Sequence, residues 1–159
     1  MKKLFSILLV FVLTLATFSL CGLIETKASN VTSSASTSPM LQQLVGSYKG
    51  YYDYQGYRYG VKMNVYVSYY GDYYALLNTF YISNHKQIAF YRLPNIYYYN
   101  ATKKYKLVGY KQNGNSNSNG LTINGTLVGN TFSGTMLSDT VSKPMKLTLN
   151  KVSKIPEQF

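Results

Sequence analysis

The sequence predicts an all-β domain: a single antiparallel up-and-down barrel of about eight or nine strands, preceded by a signal peptide helix. Three observations carry that prediction. In residues 57–70 the odd positions are Tyr57, Tyr59, Val61, Met63, Val65, Val67 and Tyr69, and the even ones are Arg58, Gly60, Lys62, Asn64, Tyr66, Ser68 and Tyr70. That period of two puts one apolar face on a strand, whereas a helix would scatter the same residues around its cylinder. Segments of the same kind follow one another, divided by short turn signals such as Gln55-Gly56, Gly71-Asp72 and Gly129-Asn130. No segment beyond the first thirty residues sustains a helical period. Strands with one apolar face each must close on themselves or stack, and closure also removes exposed edges. A two-sheet β-sandwich is the alternative.

The chain opens on Lys2-Lys3, continues through an apolar run from Leu4 to Leu23, and reaches small residues at Thr26 and Ala28. This order describes a secretory signal peptide, residues 1–28, cut after Ala28. A retained membrane anchor is the competing reading, since the run is nearly long enough to span a bilayer. The protein is therefore expected to be secreted, extracellular or cell-wall associated, with no integral membrane span once the signal is removed. The only cysteine is Cys21. Phe18-Ser19-Leu20-Cys21-Gly22 resembles the lipobox of bacterial lipoproteins, which implies a lipid anchor at Cys21 as the alternative localisation. Neither a disulfide framework nor thiol chemistry is available to the mature domain. Residues 29–44 open Ser/Thr-rich and read as a flexible tether. Within them, Leu41 to Val45 form either one turn of helix or a plug for an opening.

The barrel domain is expected over residues 45–153, with a tail at 154–159. Gly46 to Tyr54 is a strand, Gln55-Gly56 a turn, and the long alternating strand comes next. Gly71-Asp72 reverses the chain into Tyr73 to Ile82. Ile88 to Arg92 is a short strand closed by Pro94, and Ile96 to Asn100 pairs with Tyr105 to Lys111. Residues 113–120 form a mobile polar loop. Leu121, Ile123, Gly125 and Leu127 point inward before the Gly129-Asn130 turn, whose residues supply positive φ angles. Phe132, Gly134 and Met136 continue the inward set, and Met145, Leu147 and Leu149 complete it.

Gly46-x-Tyr48 at the head of the first strand resembles the Gly-x-Trp opening of lipocalin-like (calycin) barrels, with tyrosine in place of tryptophan. Gly46-x-Tyr48-x-Gly50-x-Tyr52, Gln55-Gly56, and Gly125-x-Leu127-x-Gly129 with Phe132-Ser133-Gly134 are similar to small exported bacterial β-domains. The resemblance spans about residues 45–152 and rests on glycine and aromatic spacing. It implies a barrel fold and carries over no catalytic residue or ligand.

Composition narrows the chemistry. The full chain has a net charge of +11, from 16 Lys and Arg against 5 Asp and Glu. Such a surface is drawn to anionic polymers, and for an exported chain those are cell-wall or extracellular polymers rather than nucleic acid. The acids beyond the signal are Asp53, Asp72, Asp139 and Glu157, and only Asp53 lies on a strand, so no carboxylate pair is in place for glycosidase chemistry. His85 is the single histidine and sits in a polar loop, with no partners set for a metal or a nucleophilic serine. The chain is read as non-enzymatic, without metal or cofactor.

All 18 tyrosines lie between Tyr48 and Tyr110, several as adjacent pairs. In a strand the members of a pair face opposite sides, so one fills the core while the other shows a ring and hydroxyl to solvent or ligand. Tyr52, Tyr54, Arg58, Lys62, Tyr66, Tyr70 and Tyr73 are the candidate ligand-binding residues, forming a basic aromatic face. The expected function is an exported, monomeric, non-catalytic module holding an anionic or glycan polymer. The alternatives are a carrier of a small apolar ligand inside the barrel, and a secreted inhibitor or immunity protein. The carrier needs an interior not filled by Tyr57, Met63, Val65, Leu76, Phe80, Leu107 and Phe132.

Overall fold

A computed structural model describes residues 38–112 and 120–158. The expected signal peptide, Cys21, the first part of the expected tether and nearly all of the polar loop lie outside these. A short helix, α1 (Pro39–Leu44), precedes eight strands: β1 (Gly46–Tyr54), β2 (Tyr57–Val67), β3 (Tyr73–Tyr81), β4 (Gln87–Tyr99), β5 (Lys104–Lys111), β6 (Gly120–Val128), β7 (Thr131–Ser138) and β8 (Met145–Ser153). Every strand pairs antiparallel with the next, and β8 pairs with β1, closing an up-and-down barrel. The predicted fold class is the observed one.

The inward set follows directly from register. Tyr48, Gly50 and Tyr52 of β1 face Met63, Val61 and Tyr59 of β2, which face Leu77, Thr79 and Tyr81 of β3. Tyr48, Val61, Met63, Val65, Leu77, Leu107, Ile123, Phe132, Leu147 and Leu149 are fully buried and belong to one cluster. The middle of the barrel is thus occupied by its own side chains, as expected for eight strands.

Four expectations about the strands need correction. The count is eight because residues 87–99 form one strand through Pro94, not two. Its ladder with β5 is interrupted between Arg92 and Asn95, and this bulge accommodates a residue with no N–H to donate. Gly109 on β5 makes the bulge possible: a Cβ there would lie 1.9 Å from the Arg92 carbonyl oxygen. The long alternating strand stops at Val67 rather than Tyr70. Ser68 ends it, its hydroxyl accepting from the Tyr70 and Asp72 amides at 3.2 and 3.1 Å and its own amide donating to the Asp72 carbonyl at 2.8 Å. Tyr69 consequently falls outside, 99 % exposed, while Tyr57 keeps the inward parity of β2 but stands at the rim beside the Gln55-Gly56 turn, 70 % exposed. Leu76 and Phe80 also lie outside, because β3 turns Tyr73, Ala75, Leu77 and Thr79 inward. The inward placement of Leu76 and Phe80 expected from the sequence is thus one residue out of phase. In the β6–β7 turn only Gly129 takes a positive φ, 57°.

Helix α1 sits over one end of the barrel. Leu44 is fully buried in the core cluster, a contribution of about 2 kcal/mol by apolar transfer. A six-residue helix leaves most of its carbonyls without helical partners. Side chains rising from the barrel supply several of the donors. The Tyr48 hydroxyl donates to Leu44 O at 2.8 Å, Tyr105 to Met40 O at 2.8 Å, and Lys151 Nζ to Gln43 O at 2.6 Å. Tyr73 adds a bond to Gln42 Oε1 at 3.1 Å.

Candidate functional site

The strand alternation separates the adjacent tyrosines. Tyr52, Tyr73 and Tyr98 face inward, while their neighbours Tyr51, Tyr74 and Tyr97 face outward. Among the seven candidate binding residues, Tyr52 and Tyr73 are buried in the interior and Tyr54 packs against the core. Arg58, Lys62 and Tyr66 lie on the outer face of β2, and Tyr70 is exposed in the β2–β3 turn. The structure therefore does not gather all seven into one patch. It brings Arg58 and Lys62 together on the outside of β1–β3, with partners that the sequence reading did not select.

Those partners are Tyr51 and Phe80. Register places Tyr51, Gly60 and Phe80 side by side across β1, β2 and β3. Gly60 has no side chain, so the Phe80 ring folds over it: an added Cβ would meet ring carbons at 2.2 and 2.4 Å. The Arg58 guanidinium lies over the Tyr51 ring, 4.0 Å from its centroid, a favourable meeting of cation and ring face. The same guanidinium makes two hydrogen bonds to Asp53, at 2.9 and 3.3 Å. The hydrogen bond from Arg58 holds the Asp53 carboxyl below its ordinary range, with help from the charges of Arg58 and Lys146.

On the other side of this aromatic strip, Lys49 and Lys62 are direct cross-strand neighbours. Like charges so placed repel. Lys49 has one partial counter-ion, Glu157, at 3.8 Å, and Lys62 makes no ion pair among the described residues. The result is an aromatic floor with the Arg58–Asp53 pair on one side and the Lys49–Lys62 row on the other, able to stack against a ring and to contact an anionic substituent. The residues missed by sequence reasoning had a usable signal: Tyr51 shares the parity of Lys49 and Asp53, opposite to the apolar set of β1.

Tyr66 is engaged differently. Its ring stacks on Tyr74 at 5.1 Å, and its hydroxyl donates to Glu157 O at 2.5 Å. Asn64 donates to the same carbonyl at 2.7 Å, while the Glu157 amide donates to Ser47 Oγ at 2.7 Å. The C-terminal tail thus lies along the β1–β2 wall beside the basic row.

A second aromatic group lines the inside of the barrel at the end away from α1. Tyr52 and Tyr59 stack at 5.0 Å, and Tyr59 meets Tyr81 at 5.9 Å. Burial pushes the Tyr52 hydroxyl up to about 12, with further increments from Tyr91 and Tyr59 that a hydrogen bond with Thr79 partly offsets. Burial raises Tyr91 as well, against a hydrogen bond with Ser138.

Asp139, Asp72 and His85 each sit in a turn or loop contact. Asp139 Oδ2 accepts from the Gly120 amide at 2.6 Å, Asp72 closes the Ser68 turn, and His85 lies 5.9 Å from Phe80 in its loop at φ 56°. Among the described residues no three potential ligands come together for a metal ion, and no helix is long and apolar enough to cross a membrane.

The fold and this surface define a closed eight-stranded antiparallel barrel with a filled middle and a basic aromatic outer strip. No protein-family model and no curated protein matches the chain.

Proposed function

We propose that the protein is an exported, non-catalytic binding module of the lipocalin-like kind that holds an anionic or glycan polymer of the cell wall or extracellular space on its outer β1–β3 wall. One observation carries this reading: the Tyr51–Gly60–Phe80 strip is flanked by Arg58 on one side and by Lys49 and Lys62 on the other. Aromatic faces with adjacent cations suit sugar rings bearing acidic groups, and tyrosine offers such area at low entropic cost. Purified cell walls should retain the protein at low ionic strength and release it as salt rises. The double variants Y51A/F80A and K49Q/K62Q should each lose retention while keeping the β-sheet circular dichroism of the parent. Equal retention of parent and both variants, or no retention at low salt, would sink the proposal.

A further inference from the structure

At the end of the barrel covered by α1 there is a cleft of about 430 Å³ that the outer strip does not touch. Its size is within the range of small-molecule sites. Lys151 and Lys154 of the final strand and tail, Gln42 and Gln43 of α1, and Leu127 and Asn130 of the β6–β7 hairpin line it. No carboxylate lines it.

The Lys151 ammonium is fixed rather than free. It donates to Gln43 O at 2.6 Å and lies 5.4 Å from the Tyr48 ring centroid, and its backbone amide donates to Asn130 O at 2.7 Å. An ammonium has three donors, so the bond to Gln43 leaves further N–H groups for a ligand. Burial, and then the charge of Lys154, lower the pKa of Lys151. Two cations with no acid between them repel, and an anion bound between them would turn that repulsion into attraction. A dianion matches two ammonium groups best, and a phosphomonoester carries about that charge at neutral pH. The amides of Gln42, Gln43 and Asn130 provide donors and acceptors for hydroxyl groups, while Leu127 gives a small apolar wall for a carbon skeleton.

We infer that this cleft is a binding site for the phosphomonoester of a small polyol or sugar, with Lys151 and Lys154 on the phosphate and the amides on the hydroxyls. The inference stands apart from the outer wall and does not require it.

Glycerol 3-phosphate, inorganic phosphate and glycerol are suitable probes, followed by amide chemical shifts of the labelled mature chain. Glycerol 3-phosphate should bind saturably, moving the resonances of Gly129, Asn130 and Lys151. Inorganic phosphate should bind more weakly at the same resonances, and glycerol should leave them in place. K154Q should weaken glycerol 3-phosphate binding by about tenfold, the scale of one lost charged contact. Its side chain makes no hydrogen bond or ion pair among the described residues, so the variant should fold. K151M should weaken binding at least as much, and its tyrosine near-ultraviolet dichroism reports whether the α1 contact survives. K104Q/K106Q, on β5, should bind like the parent.

The inference is overturned if binding is not saturable, or if K104Q/K106Q loses as much affinity as K154Q, which is general charge attraction. Inorganic phosphate binding as tightly as glycerol 3-phosphate overturns the polyol half. Loss of wall retention with intact cleft shifts would remove the outer-wall reading alone, and the converse result would remove this one alone.

Discussion

At the scale of single residues, the tyrosines do three separate jobs that their spacing only partly distinguishes. Tyr51 and Tyr74 present rings outward, Tyr52 and Tyr98 fill the interior, and Tyr48 and Tyr105 reach up to the carbonyls of α1. Parity alone assigns a tyrosine inward or outward once its strand is phased, yet the sequence reading set Tyr52, Tyr54 and Tyr73 on the binding face, and the structure turns them to the core. The hydroxyl contacts of Tyr48 and Tyr105 were not, because their partners belong to a helix that approaches from outside the sheet. Y48F and Y105F remove one hydrogen bond each and leave the packing in place. Each should lower stability by about 1 kcal/mol, read as a fall in the urea midpoint with unchanged slope. An effect near zero for both would mean that α1 is not fastened by these hydroxyls.

At the scale of elements, the bulge in β4 is the feature least accessible to sequence reasoning. Pro94 reads as a terminator, and only the pairing partner shows why the strand continues. Opposite the bulge, Gly109 lets the backbone of Arg92 and Leu93 approach to distances that a Cβ would occupy. Gly60 is also crowded, but by the Phe80 side chain, which can swing away. The two glycines therefore predict different outcomes. G109A should cost at least 3 kcal/mol (an order-of-magnitude figure) or prevent folding, since backbone must move. G60A should cost about 1 kcal/mol and chiefly disturb the outer strip. Thermal melts of the two variants, with β-sheet dichroism as the signal, check the ranking; comparable losses would refute it. Alternation and turn chemistry made seven of the eight strands readable, whereas the join of residues 88–92 with 96–100 depended on a non-local contact. The outer strip was half legible for the same reason: Arg58 and Lys62 follow from alternation in β2, but Tyr51 and Phe80 become their neighbours only through cross-strand register.

At the scale of the whole molecule, burial of neutral tyrosines couples folding to alkaline pH. The hydroxyls of Tyr52 and Tyr105 are pushed up from 10.0 to about 12, in each case mainly by burial. Tyr48 moves in the same direction. In the unfolded chain these groups ionise near their ordinary value, so above it the unfolded state has released protons that the folded state retains. The stability they contribute is complete below about pH 10 and is lost as pH rises toward about 12. The tyrosinate absorbance of these interior rings should thus rise cooperatively with loss of sheet dichroism. A single smooth titration with the fold intact would show that the interior rings are open to solvent.

The pairing of β1 with β8 also fixes when the molecule can become whole. The first strand to leave any pore or ribosome must wait, one flank bare, for the last strand to arrive and mate with it. Lys151, carried on that last strand, then ties down the helix that came before the first. A chain stopped short of Met145 would hold most of its hydrophobic residues yet remain an open, adhesive ribbon, so completeness of synthesis is itself a condition of solubility.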